Sequence, residues 1–112
     1  MTNYDESYME TLRLETLQSE NFKNTATIAR LTTILRTYHV PHKVHRLYDG
    51  AQITFPWTSG DVVCHRGSYG HNLGHVESMG FSWDDGDVSE YSVPTMGKRI
   101  VREYIDVLAG GK

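Results

Sequence analysis

The chain has 112 residues, with 11 Lys plus Arg against 14 Asp plus Glu and a net charge of −3, so it has room for one hydrophobic core and no global attraction to nucleic acid or anionic lipid. At this length folding hides roughly 65% of the extended surface, enough for a core without disulfide staples, and the single cysteine can form no internal bridge. With no signal-peptide-like segment and no apolar run near ~18 residues, a reducing cytoplasm and no transmembrane span are expected.

Charge is laid down in blocks. Residues 1–20 carry five acids against Arg13, residues 21–46 carry Lys23, Arg30, Arg36, Lys43 and Arg46 with no acid, and residues 76–91 carry Glu77, Asp84, Asp85, Asp87 and Glu90 with no base. Opposite blocks can face one another, solvate the fold, or present a binding surface.

Residues 1–20 read as an acidic helix on which Tyr4, Tyr8 and Leu12 share a face while Leu14 and Leu17 project elsewhere. Over 25–38, Ile28, Leu31, Ile34, Leu35 and Tyr38 fall within about 120° of a helical wheel, the width of a core-facing stripe. Asn24 or Thr25 can cap that helix and Pro41 ends it. The stretch 42–93 reads as an antiparallel sheet of about four or five strands. Asp49-Gly50 suits a two-residue hairpin turn, pairing Tyr48 with Ala51, Arg46 with Ile53 and Val44 with Phe55, and leaving His45, Leu47, Gln52 and Thr54 on the other face. Further strands are expected over 61–65, 76–81 and 88–93. Over 94–109 Met96, Ile100, Val101, Tyr104, Ile105, Val107 and Leu108 occupy one half of a wheel. Ser92 or Thr95 can cap this last helix, Pro94 suits its first turn, and Gly110 and Gly111 stop it. The expected fold is one α+β domain: two N-terminal helices, the sheet, and a C-terminal helix.

Within the sheet region Phe55-Pro56-Trp57-Thr58-Ser59-Gly60-Asp61-Val62 and Phe81-Ser82-Trp83-Asp84-Asp85-Gly86-Asp87-Val88 share F-x-W-x-x-G-D-V. Two copies fall short of a repeat array. They read as two similar corners, with the glycines permitting the bend, the tryptophans covering the core and the aspartates accepting turn N–H bonds.

All six histidines lie between positions 39 and 75. His39, His42 and His45 recur every third residue, a spacing that brings no two imidazoles together in an extended chain, and His45 is expected in solvent. Cys64, His71 and His75 are the candidate metal ligands, since a thiolate and neutral imidazoles select Zn²⁺ and a glycine-rich loop can converge them. Water, Glu77 or an earlier histidine would complete the set. The plainer alternative is a buried thiol beside surface histidines. A catalytic reading makes Cys64 a nucleophile activated by His71 or His75, or Glu77 the base for a metal-bound water. Either would make the chain a hydrolase. No paired catalytic signature supports an enzyme over a binding protein.

The runs Tyr48-Asp49-Gly50, Phe55-Pro56-Trp57, Gly60-Asp61-Val62, His65-Arg66-Gly67-Ser68-Tyr69-Gly70 and Gly80-Phe81-Ser82-Trp83-Asp84-Asp85-Gly86-Asp87-Val88 resemble a class of small uncharacterised proteins encoded by phages and prophages of Gram-positive bacteria. The resemblance covers residues 42–92. Some phage proteins of this size and acidic α+β character are anti-CRISPR inhibitors. The resemblance therefore implies a non-enzymatic protein that blocks an RNA-guided CRISPR nuclease by direct protein–protein binding. The acidic residues Asp84, Asp85, Asp87 and Glu90, with tyrosine and tryptophan beside them, are the expected partner-binding surface. A nucleic-acid-binding domain led by the 21–46 basic block is the lesser reading, and homo-oligomers are compatible with it all.

Overall fold

The computed structural model describes residues 22–110. The expected helix over 1–20 lies outside the described residues, so one helix, not two, precedes the sheet among them. The architecture is α+β: helix α1 (Phe22–Thr37), strands β1 (Lys43–Leu47), β2 (Gly50–Thr54), β3 (Asp61–Cys64), β4 (His75–Met79) and β5 (Val88–Ser92), then helix α2 (Val93–Leu108). Short 3₁₀ turns at His71–Leu73 and Ser82–Asp84 interrupt the last two hairpin connections. The strands form one antiparallel meander in the order β1-β2-β3-β4-β5.

Alternation places the core. Val44, Ala51, Ile53, Val62, Cys64 and Val76 point to one face of the sheet and are buried, packing with Ile28, Leu31 and Leu35 of α1 and Met96 and Ile100 of α2. Their alternate neighbours, among them His45, Gln52, Asp61, Val63, His75, Glu77 and Glu90, are half-buried or exposed on the opposite face. Both helices therefore sit on one side of the sheet, as a two-layer α+β fold requires.

Three local expectations are corrected. The first helix begins at Phe22, so Asn24 and Thr25 lie inside it and are not caps. It ends through His39, whose left-handed backbone (φ 56°) returns the Val40 N–H to the Leu35 carbonyl at 2.9 Å, closing the helix two residues before Pro41 can act. In the first hairpin the turn residues are Tyr48 and Asp49, with Leu47 opposite Gly50, Arg46 opposite Ala51 and Val44 opposite Ile53. A slip of two residues leaves every side chain on its expected face, which is why the burial pattern holds although the pairing does not. Gly50 is needed for close approach: a Cβ there would fall 1.7 Å from the Cys64 carbonyl oxygen.

Successive hairpins put two loops at each end of the sheet. The β2–β3 and β4–β5 connections, which are the two F-x-W corners, share one end. The Tyr48-Asp49 turn and the long β3–β4 loop share the other, beside the N-terminal half of α1.

Candidate functional site

The Cys64 thiol closes β3 against α1 and is fully buried, its Sγ 3.5 Å from the His75 carbonyl oxygen and 3.7 Å from Asn24 Oδ1. Burial pushes the thiol up to about 11, the Asp49 charge adding to the rise while the Thr27 hydroxyl and the Arg30 charge oppose it. At neutral pH it is a protonated core group, and the thiolate needed for attack or for zinc is scarce. His75 opens β4, one position before the inward Val76, so its ring lies on the outer face of the sheet, with Nδ1 2.5 Å from Glu90 Oε2. His71 sits in the 3₁₀ turn. Cys64, His71 and His75 are thus not gathered, and among the described residues no group of three or more His, Cys, Asp or Glu is placed to hold a metal ion. Glu77 Oε1 instead accepts the Tyr69 N–H at 2.9 Å.

The earlier histidines divide. His45 is exposed, as expected, with Nε2 2.8 Å from Thr54 Oγ1. His42 is fully buried, with Nδ1 2.8 Å from the Val40 carbonyl. Burial, assisted by the Arg36 charge, holds its pKa below the usual histidine value against the opposing pull of that carbonyl.

The acidic set also divides. Asp84 is buried and structural: Oδ1 accepts the Ser78 hydroxyl at 2.8 Å and Oδ2 the Phe81 N–H at 3.0 Å. Asp85, left-handed at φ 49°, and Asp87 are exposed at the corner. Glu90 lies on the outer sheet face beside His75. One continuous surface from these four is therefore not formed.

The opposite end is an exposed feature built from the β1–β2 turn, the β3–β4 loop and α1. Asp49 bridges three elements, Oδ1 accepting the Arg66 N–H at 2.8 Å and Oδ2 the Asn24 Nδ2 at 3.2 Å. Within the long loop, the Ser68 N–H donates to the His65 carbonyl at 2.9 Å, the His65 N–H to Ser68 Oγ at 3.0 Å, and the Gly67 N–H to His65 Nδ1 at 2.9 Å. The last bond makes Nδ1 the acceptor, so a neutral His65 carries its proton on Nε2. Lys23 Nζ donates to the Asn72 carbonyl at 3.0 Å, tying the loop to α1. On this frame Tyr48 is 67% exposed, Tyr69 64% and Leu73 68%. Tyr48 has φ 54°, a left-handed backbone that costs a residue with a Cβ about 1–2 kcal/mol. Its ring meets His65 edge-on at 5.1 Å, and the Arg66 guanidinium lies 6.0 Å from its centroid.

Sequence reasoning passed over this constellation. Asp49 read as a turn former and Asn24 as a helix cap, and each is a long-range tie that neither local pattern signals. Compared with known proteins, the chain matches no family model, no curated protein and no solved structure.

Proposed function

We propose that the protein is a non-enzymatic binding protein that acts by occluding a protein partner, an RNA-guided CRISPR nuclease, through the loop end of its sheet. One observation carries this reading: the β1–β2 turn and the β3–β4 loop, tied together by hydrogen bonds, hold Tyr48, Tyr69 and Leu73 outward, with Arg66 beside Tyr48. Tyrosine and arginine dominate the binding energy of protein interfaces, and ordering their loop in advance removes an entropic cost of association. The choice of a nuclease as partner rests on the phage-type resemblance of residues 42–92. A buried, protonated Cys64 favours binding over thiol catalysis. Zinc is not required by this reading.

The test is complex formation with a purified RNA-guided nuclease, with and without guide RNA, measured by titration calorimetry. A stoichiometric complex that Tyr69→Ala and Arg66→Glu each weaken about tenfold or more supports the reading. Retention of binding by both variants, together with its loss on reversing Asp85 and Asp87 to lysine, moves the contact to the acidic corner. No complex at micromolar concentration removes the nuclease as partner.

A further inference from the structure

A second surface, separate from the loop end, lies between the two helices. Gly97 of α2 sets their approach, since a Cβ there would fall 2.9 Å from Ile34 Cγ2. Beside this crossing is a groove of about 830 Å³ reaching along α2 from Pro94 to Asp106, on the order of 20 Å at 1.5 Å per residue, or three to four helical turns. Ile34, Gly97 and Val101 contribute to its apolar lining. Tyr38 and Ile105, which also line it, are 59% and 56% exposed. Along α2, Val101, Ile105 and the exposed Leu108 recur at i, i+4 and i+7, the spacing of a stripe that packs on another helix. Lys98, Arg99 and Arg102 edge the groove against Asp106 as its acid, so a chain of net charge −3 carries a local excess of positive charge here.

We propose that this groove receives an amphipathic helix of a partner protein, its apolar side seated on Val101 and Ile105 and its carboxylates over Lys98 and Arg102. The apolar lining gives affinity, and the cationic edge selects an acidic helix over a basic one. Concavity favours a helix over a lipid surface, which would need a projecting apolar face.

The probe is a fluorescein-labelled helical 18-residue peptide with leucine on one side and glutamate on the flanks, titrated with the full chain in fluorescence anisotropy. The expected results are saturable binding, weakening with added salt, and a loss of about tenfold or more when lysine replaces the glutamates or when the protein carries Ile105→Glu. Ile105 is already more than half exposed, so Ile105→Glu is expected to fold, which circular dichroism checks. A second variant, Lys98→Glu with Arg102→Glu, is expected to invert the preference toward the lysine peptide. Equal binding of the two peptides, unchanged binding by Ile105→Glu, or no binding overturns the proposal. So does binding only to anionic phosphatidylserine vesicles. A concentration-dependent dimer abolished by Ile105→Glu, seen by sedimentation, overturns it in favour of a second copy of this chain.

Discussion

At one end of the sheet Phe55, Trp57, Phe81 and Trp83 are drawn together, whereas at the other Tyr48, Tyr69 and Leu73 stand in solvent. The first end is closed by ring packing: Phe55 meets Phe81 at 5.6 Å, Phe81 stacks on Trp83 at 4.4 Å, and Trp57 meets Tyr104 at 5.1 Å. Its indole N–H groups are satisfied internally, by the Pro41 carbonyl and by Ser78 Oγ, each at 3.0 Å. The second end is closed by backbone N–H groups donating to Asp49, His65, Ser68 and Glu77. Hydrogen bonds can hold a loop without covering its side chains, and ring packing cannot. Aromatic residues are thus structural at one end and displayed at the other.

Substitutions at the packed end break this contrast most severely. Phe81→Ala empties the joint of the two corners and is expected to lower stability by about 3–5 kcal/mol, measured by guanidinium unfolding. Asp84→Ala should cost about 2–3 kcal/mol, because it leaves the Phe81 N–H and the Ser78 hydroxyl without their charged acceptor. Reversing its neighbour Asp85, which is exposed, should change stability by less than about 0.5 kcal/mol. A cost for Asp85→Lys equal to that of Asp84→Ala would contradict the division of the acidic residues into structural and solvent-facing.

Legibility in the sequence follows the same division. The 3.6-residue stripe of Ile28, Leu31 and Leu35 and the period-2 runs through Val44, Ile53 and Val62 report burial directly, so the two helices and five strands among the described residues were readable to within a few residues. The corners were readable as a pair but not in their differences. Gly60 is required because a Cβ would lie 2.7 Å from the Phe81 ring, and Gly86 because its φ is 81°. Asp87 accepts the Val88 N–H as a turn residue does, whereas Asp61 accepts the Gln52 side chain at 2.6 Å. A motif of eight residues cannot encode which long-range neighbour each copy meets. The same limit explains Cys64 and His75: they are near in space, yet strand parity turns one inward and the other outward, and that parity depends on where β4 begins within a glycine-rich loop.

The histidines extend the comparison to pH. His42, beside the packed end, is neutral in the fold because burial, then the Arg36 charge, lowers its pKa. The unfolded chain takes up this proton near pH 6.5, so between the lowered native value and about 6.5 the unfolded state binds more protons. Stability contributed by His42 is therefore complete above about pH 6.5, declines as pH falls toward the native value, and is flat below it. The slope cannot exceed about 1.4 kcal/mol per pH unit for one group. Urea unfolding from pH 7 to pH 5 should show a shallower decline for His42→Asn, whose amide can still donate to the Val40 carbonyl but does not titrate. Identical slopes in the two proteins would remove His42 as the source.

At the displayed end the expected stability change is small, and its smallness is what makes it informative. Tyr48→Gly deletes a ring that meets His65 and Arg66 and relieves a left-handed backbone that glycine adopts freely. Relief of about 1–2 kcal/mol offsets the lost ring contacts and the greater chain entropy of unfolded glycine, so unfolding free energy should move by less than about 1 kcal/mol. Partner binding should nonetheless fall about tenfold or more. That combination identifies a side chain retained for contact at the expense of backbone strain. A loss of several kcal/mol with binding intact would instead make Tyr48 a structural residue, and the two ends of the sheet would then differ in geometry but not in role.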